Sequence, residues 1–506
     1  MKSIKLLTTL FLALSLLFVI FRLLPHSPAF AAGTTYFVNA TTGDDTRSTA
    51  QAQSSVTPWK TITHAVATVP AGVLGNPNII QVAAGTHNAA LGEAFPIVID
   101  TAYLRLSGAG RDNTIVDAGG GGHDIFQIAA DGIHIEGFAI QNSARNGIDT
   151  EIAGFTIQNN HFTAVDVGVE FTMNELHAGQ TFVISDVTVI NNSFEVRETG
   201  VEIDIDLLNG FSYAAGAIIT MGQVNILSNT ILKTDTDDYG IYYDTGIAYI
   251  ENGQITIDEI TIANNRIDMA DDGIYVEADA EHLTGTTTLN AKNLTITGNT
   301  LHGYFSDSAI EIEYYGDLDD LYGSSRGSVG DILVSHNVIS HTDYGIYLAQ
   351  VAADNIHHDV DLNYGNVTIE NNEAYNAASE HITFRQTGVG GFYNNAKLTI
   401  GSSTIQSNTI INYDTSGAHG ILIEQLRFGQ NLHNAAMITT GNTLITNNLV
   451  INRDGRGIYL VYGHNTGIRL YNNASLFMGT TTIVSNTIQQ ADDYSGIDIF
   501  WDRSIQ

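Results

Sequence analysis

The stretch ITIANNRIDMADDGIYVEA, residues 260–278, decides the fold. Apolar residues alternate before the Asn and again after Gly273-Ile274, so each half reads as a short strand with one face buried. Asp271 and Asp272 mark a turn between the halves. The same three-part unit recurs as LTITGNTL with SAIEIE, VTIENNEA with EHITFR, and TLITNNLV with GRGIYLVY. Its Asn falls at 160, 192, 229, 265, 299, 337, 372, 408, 448 and 486, at intervals of 32 to 40 residues. A near-constant period of about 36 residues means a solenoid, a propeller or an array.

The units are unequal in their halves. The Ile of G-I follows the Asn by 9 to 13 residues, and the next Asn follows that Ile by 23 to 28. The long half holds further alternating runs such as TTTLNAKN, AKLTIG and ASLFMG, which predict arms or an added strand on one side of each coil. A coil is favoured over a propeller for two reasons. Trp occurs only at Trp59 and Trp501, so periodic aromatic blade signatures are missing. A recurrent Asn inside a stack can also bond to the Asn above and below it. The fold expected is therefore all-β, a right-handed parallel β-helix with coils of about 36 residues. Near the N-terminus, Trp59, Ile62, Ala65, Val66 and Val69 share one face of a short helix that would cap the first coil.

Composition narrows the setting. Residues 1–32 carry Lys2, Lys5, an apolar run from Leu6 to Phe21 and a small-residue site near Ala31, the layout of a secretory signal peptide. Its removal takes away three cationic residues and no acid, moving the formal charge from −34 to −37. Such a surface does not bind nucleic acid through phosphates. No Cys is present, so disulfides and a lipoprotein anchor are excluded. A secreted or extracellular chain with no membrane span after cleavage is expected. The sequence stops soon after GIDIFWD without a recognisable cap, so a further segment is expected beyond it.

TYFVNATTGDD (35–45), TPWKTITHAV (57–66) and IIQVAAGTH (79–87) resemble the uncharacterised N-terminal domain of many bacterial secreted β-helix proteins, and the repeats from 124 onward resemble those of the pectin-lyase-like superfamily. The resemblance implies a signal peptide over 1–32, a cap with first coils over 33–123, and β-helix repeats over 124–506. It does not imply one chemistry, because that superfamily includes lyases, hydrolases, epimerases and proteins without known activity. The polygalacturonase-like order N-T-D, D-D, G-H-G, R-I-K finds only TDTDD (234–238), Asp271-Asp272 and His419-Gly420, with no R-I-K. A pectate-lyase-like site would pair calcium-binding acids with an Arg, for which Arg385 is placed centrally. Copper has no obvious site in a chain without Cys and with 6 Met.

The G-I-Y-L strand offers the candidate site. Its alternate residues face outward and, in stacked coils, form two columns with a spacing of about 4.8 Å along each and about 6–7 Å between them. Glu202, Asp204, Tyr242, Asp244, Tyr275, Tyr347, Arg385 and Tyr459 are the candidate ligand-binding residues, and Glu277, Glu311 and Glu313 the candidate catalytic ones. Crowded carboxylates raise one another's pKa or recruit a cation, so calcium at Asp244, Glu277 and Glu311 is a candidate cofactor. The same residues also suit an ordinary solvated strand face. Asp238, Asp272, Asp307, Asp343, Asp414, Asp454 and Asp493 form a further acidic column in the turn before G-I, where Asp caps a turn or binds calcium. Glu380-His381 with Arg385 is the one local departure that adds two chemical groups. The expected function is glycan binding or a structural role at the cell surface without a complete catalytic motif. The alternative is a polysaccharide lyase or glycoside hydrolase using the clustered carboxylates.

Overall fold

The computed structural model describes residues 33–501 apart from 175–178, 209–212, 235–237, 269–270, 319, 351–354, 387–390, 414–416, 426–430, 454, 463–469 and 491–494. The expected signal peptide and Asp414, Asp454 and Asp493 lie outside the described residues. What remains is a parallel β-helix. One sheet stacks 14 parallel strands from Thr35–Val38 to Thr481–Val484. The strands after each Asn and the G-I strands form a larger second sheet, and a nine-stranded sheet runs from Thr181–Ile184 to Ser475–Phe477. This last sheet contains Thr288–Ala291 and Lys397–Ile400, so the surplus of each coil is an added strand.

The period-two pattern determines what is inside. Ile226, Ile262 and Ile296 are register partners in the first sheet and fully buried, whereas Asn225, Thr261 and Thr295 between them face outward. Each such Ile contributes about 1.5–3 kcal/mol through burial. The same aliphatic column continues from coil to coil, so the core is one continuous apolar rod.

The recurrent Asn forms the expected ladder. In the step from Asn229 to Asn265, the backbone N–H and the side-chain amide of Asn229 both donate to Asn265 Oδ1, at 2.9 and 3.0 Å. The other amide hydrogen of Asn229 goes to the Val189 carbonyl at 2.9 Å. The pattern repeats from Asn160 to Asn486, and the rungs up to Asn448 are buried. Left-handed backbone occurs one residue earlier than the Asn. Asn159, Asn191, Ser228, Asn264, His336, Asn371, Ser407, Asn447 and Ser485 have φ of +54 to +58°, and Gly298 has +67°. These positions turn the corner, leaving the ladder Asn in a geometry that aims its amide along the axis. His336 is thus a corner residue.

Two short helices, α1 (Thr49–Ala52) and α2 (Ile62–Thr68), accompany the first coil. Trp59, Ile62, Ala65, Val66 and Val69 are all buried against it. The α2 N-terminus is closed by Thr61 and by the buried Glu93 carboxylate, which accepts from the N–H groups of Ile62 and Thr63 at 2.8 and 2.9 Å. On the opposite side, a corner of the arms carries stacked rings from successive coils: Tyr322, His357, Tyr393, His433 and Tyr471, with centroids 4.5–5.3 Å apart. Among the described residues no helix is long and apolar enough to cross a membrane.

Candidate ligand-binding face

Strand register assembles the two outward columns. In the first, Glu170, Glu202, Tyr242, Tyr275, Glu311 and Tyr347 are successive partners. In the second, Thr172, Asp204, Asp244, Glu277 and Glu313 are successive partners. Ala349, Arg385 and Glu424 follow in the second column, while Thr383, Leu422 and Tyr459 follow in the first. Glu277 and Glu313 are therefore neighbours, whereas Glu311 sits in the other column. Asp244, Glu277 and Glu311 accordingly do not converge on one point.

The face is recessed. Its acids and tyrosines are half-buried, and Thr383, Leu422 and Val461 are buried although their register places them outward. Long neighbours lie along the surface there. Arg385 stacks over the Tyr347 ring at 5.0 Å, donates to its hydroxyl at 2.8 Å and pairs with Glu424 at 2.7 Å. Two coils on, Arg456 lies over Tyr459 at 4.2 Å and pairs with Asp498 at 2.7 Å. Arg385 is thus tied up in ring and carboxylate contacts. His381 is fully buried, accepts from the Ala377 N–H and faces the His419 carbonyl, and burial pushes its pKa down to about 4. It serves as a structural residue in the place of the usual Gly.

A third column, missed in the sequence, runs beside the first. It consists of the residue before each G-I: Asn146, Val167, Thr199, Tyr239, Asp272, Ser308, Tyr344, Glu380, His419 and Arg456. The glycine that follows leaves no room for a side chain. A Cβ on Gly240 would meet the Gly273 carbonyl oxygen at 2.5 Å and the core Ile267 at 2.6 Å. The tight Gly step, departed from at Ala309 and His381, was the available signal, since it fixes the direction of the residue before it.

At the N-terminal end these columns enclose a cavity of about 500 Å³ lined by Asn146, Glu170, Glu202, Asp204, Tyr239 and Tyr242, with Arg145 at its edge. Burial and then the neighbouring Asp149 carboxylate push the Glu170 carboxyl up to about 7. Asn146 Nδ2 donates to it. Burial, then Glu170 and Asp204, do the same to Glu202, also up to about 7. Asp244 rises to about 6 through burial and Glu277. Burial raises Asp204, Glu311 and Glu313 as well. Tyr242 and Tyr275 stack at 5.4 Å with rings 5° from parallel. Their hydroxyls donate to Asp244 at 3.1 Å and to Glu277 at 2.5 Å. Burial, reinforced by those carboxylates, keeps both phenols protonated. In this lining Glu170 and Glu202 are the two carboxyls raised to about 7, and a protonated carboxyl can both donate and accept hydrogen bonds.

No functionally curated protein matches the sequence. Among solved structures the chain is similar to the catalytic unit of a thermostable GH87 alpha-1,3-glucanase from Streptomyces thermodiastaticus strain HF3-3, at 14% identity and a TM-score of 0.33, over 83% of this chain and 63% of that one. The chain thus spans less than two thirds of that glucanase unit. It is also similar to the GH136 lacto-N-biosidase from Eubacterium ramulus, at 9% identity and a TM-score of 0.32, over 90% and 68% of the two chains. A rhamnogalacturonan lyase gives 13% identity and a TM-score of 0.23 over 88% and 85%. Likeness at this level carries nothing about chemistry. Residues 41–360 match a family in its own right, and the chain belongs to that family, described as a protein of unknown function (DUF1565).

Proposed function

We propose that this chain is a secreted β-helix protein of the pectin-lyase-like kind that binds a neutral, hydroxyl-rich glycan along the recessed face, with its deepest contact in the cavity at Glu170, Glu202 and Tyr242. The observation that supports this reading is the combination of tyrosine rings with carboxyls raised to about 7 in one cavity. Carboxyls of this kind exchange hydrogen bonds with sugar hydroxyls in either direction. A uronate polymer would instead be repelled by a chain of formal charge −34. Titration calorimetry against neutral and uronate oligosaccharides tests the reading. Saturable binding of a neutral glycan, lost in Tyr242→Ala, supports it; binding confined to uronates overturns it.

A second reading is favoured by one relationship. Glu202 and Asp204 face outward two residues apart on one strand, both with raised pKa and one of them half-protonated near neutrality. That is the arrangement of a general acid beside a second carboxylate, as in glycoside hydrolysis. New reducing ends from a bound glycan, abolished in Glu202→Gln, would establish hydrolysis. Unsaturated products would point to a lyase instead.

A further inference from the structure

We propose that Asp272, Asp307, Glu311 and Ser308 form a calcium site that staples two successive coils. One oxygen from each of the three carboxylates lies within 4.8 Å of the others. Asp272 opens the strand Asp272–Thr284, while Asp307, Ser308 and Glu311 belong to the next coil's strand Thr300–Asp317, so an ion between them ties one coil to the next. Three acids gathered this closely repel one another unless a proton is held or a cation intervenes.

Ser308 supplies a separate reason. It is 1% exposed, and the Glu311 carboxyl is what its Oγ has beside it. A hydroxyl that donates its proton to a carboxylate keeps acceptor lone pairs that a cation can take up. The hydroxyl lies by the Glu311 carboxyl, whose ionised form it favours, and the Ser308 backbone N–H holds Asp272 Oδ1 at 2.9 Å. Ser308 thus touches two of the three acids, Asp272 through its backbone N–H and Glu311 through its hydroxyl.

The repeat also breaks here. The register of Thr300–Asp317 against the following strand shifts between His302 and Phe305 and again between Phe305 and Ser308. Ala309 stands where the neighbouring coils carry Gly240 and Gly273. Irregularities of this kind re-aim side chains. Against the preceding coil the register runs in step, Ile274 pairing with Ile310, which sets Ser308 beside Asp272 and Asp307 beside Asp271. The donor set, carboxylate and hydroxyl oxygen without nitrogen or sulfur, matches calcium rather than zinc or copper. Asp307 is exposed, which leaves the outer side of the site open to water.

The test is titration of the purified chain with calcium chloride, read by calorimetry and by tyrosine-sensitised terbium luminescence with calcium as competitor. One saturable site is expected, with a melting temperature that rises on adding calcium and falls with chelator. Asp307→Asn and Glu311→Gln each weaken binding at least tenfold, Ser308→Ala weakens it less, and Glu251→Gln, an exposed acid elsewhere, leaves it unchanged. Circular dichroism melts in chelator separate a lost ion from a lost fold. Asp307→Asn, on an exposed side chain, is the variant that decides if the buried ones unfold. Absence of saturable binding below about 1 mM, at the weak end of extracellular calcium modules, would overturn the proposal. So would equal weakening by Glu251→Gln, which would mean diffuse counterion attraction.

Discussion

Glu170 and Glu202 are register partners on adjacent strands, and the carboxyl of each is pushed up to about 7. Both carboxyls line the cavity.

The pH dependence of stability follows in sign. Both acids titrate higher in the folded chain than the ordinary value of 4.5. Their contribution to stability is fully present below about 4.5 and is lost as the pH rises through about 7, because the folded chain holds protons that the unfolded chain has released. Thermal melts should show a lower melting temperature at pH 8.5 than at pH 5.5. The difference should shrink in Glu170→Gln and Glu202→Gln, and an undiminished difference would place its origin elsewhere.

Removing an interior rung should cost more than removing an end one. Asn265→Ala deletes the acceptor for two donors on Asn229 and a donor to the Ile226 carbonyl. Each buried group left unpaired costs about 1–3 kcal/mol. Asn486→Ala touches a half-exposed rung at the last ladder step and should cost less. Urea unfolding of the two variants side by side measures the difference.

Truncating the apolar rod gives a second stability reading. Ile262→Ala should destabilise by about 2–5 kcal/mol, since its register partners Ile226 and Ile296 are pinned by their own coils and cannot close the space. Outward Thr261→Ala, on the same strand, should change stability by less than about 0.5 kcal/mol.

For ligand binding, Tyr275→Ala should weaken affinity for a bound neutral glycan about tenfold, roughly 1.4 kcal/mol, with the melting curve nearly unchanged. Tyr275→Phe separates two contributions. It keeps the ring that stacks on Tyr242 and removes the hydroxyl that donates to Glu277. If stacking dominates, it should retain most of the affinity.

The order in which these features became legible has a physical reason. Alternation along a strand fixes which side chains point outward, and a constant interval fixes which of them meet, so Glu202, Tyr242, Tyr275 and Glu311 could be put in one column from sequence alone. Ladder residues such as Asn265 were equally accessible, because a polar residue recurring inside a core needs a partner of its own kind. The depth of the face was not accessible. Leu422 and Val461 are buried by how long side chains of neighbouring coils lie down, and alternation carries no information about that. Within the third column Asp272 was read as a turn residue; the close approach of Gly240 to the Gly273 carbonyl fixes the direction of Tyr239 beside it. Asp272 and Asp307 were legible as an acidic turn column, whereas Ser308 was not, because a single Ser in one repeat carries no periodic signal.

The Asn ladder has one last consequence. Rung, sheet and apolar rod all link a coil only to the coils before and after it, so the molecule is a one-dimensional cooperative chain in which order passes along a single axis. A lesion at Asn265 acts as a boundary. The coils on either side retain their own contacts, and unfolding can start from two new fronts in the middle as well as from the two ends. A protease should then cut such a variant into two persistent blocks, whereas a lesion near either end would only shorten the rod.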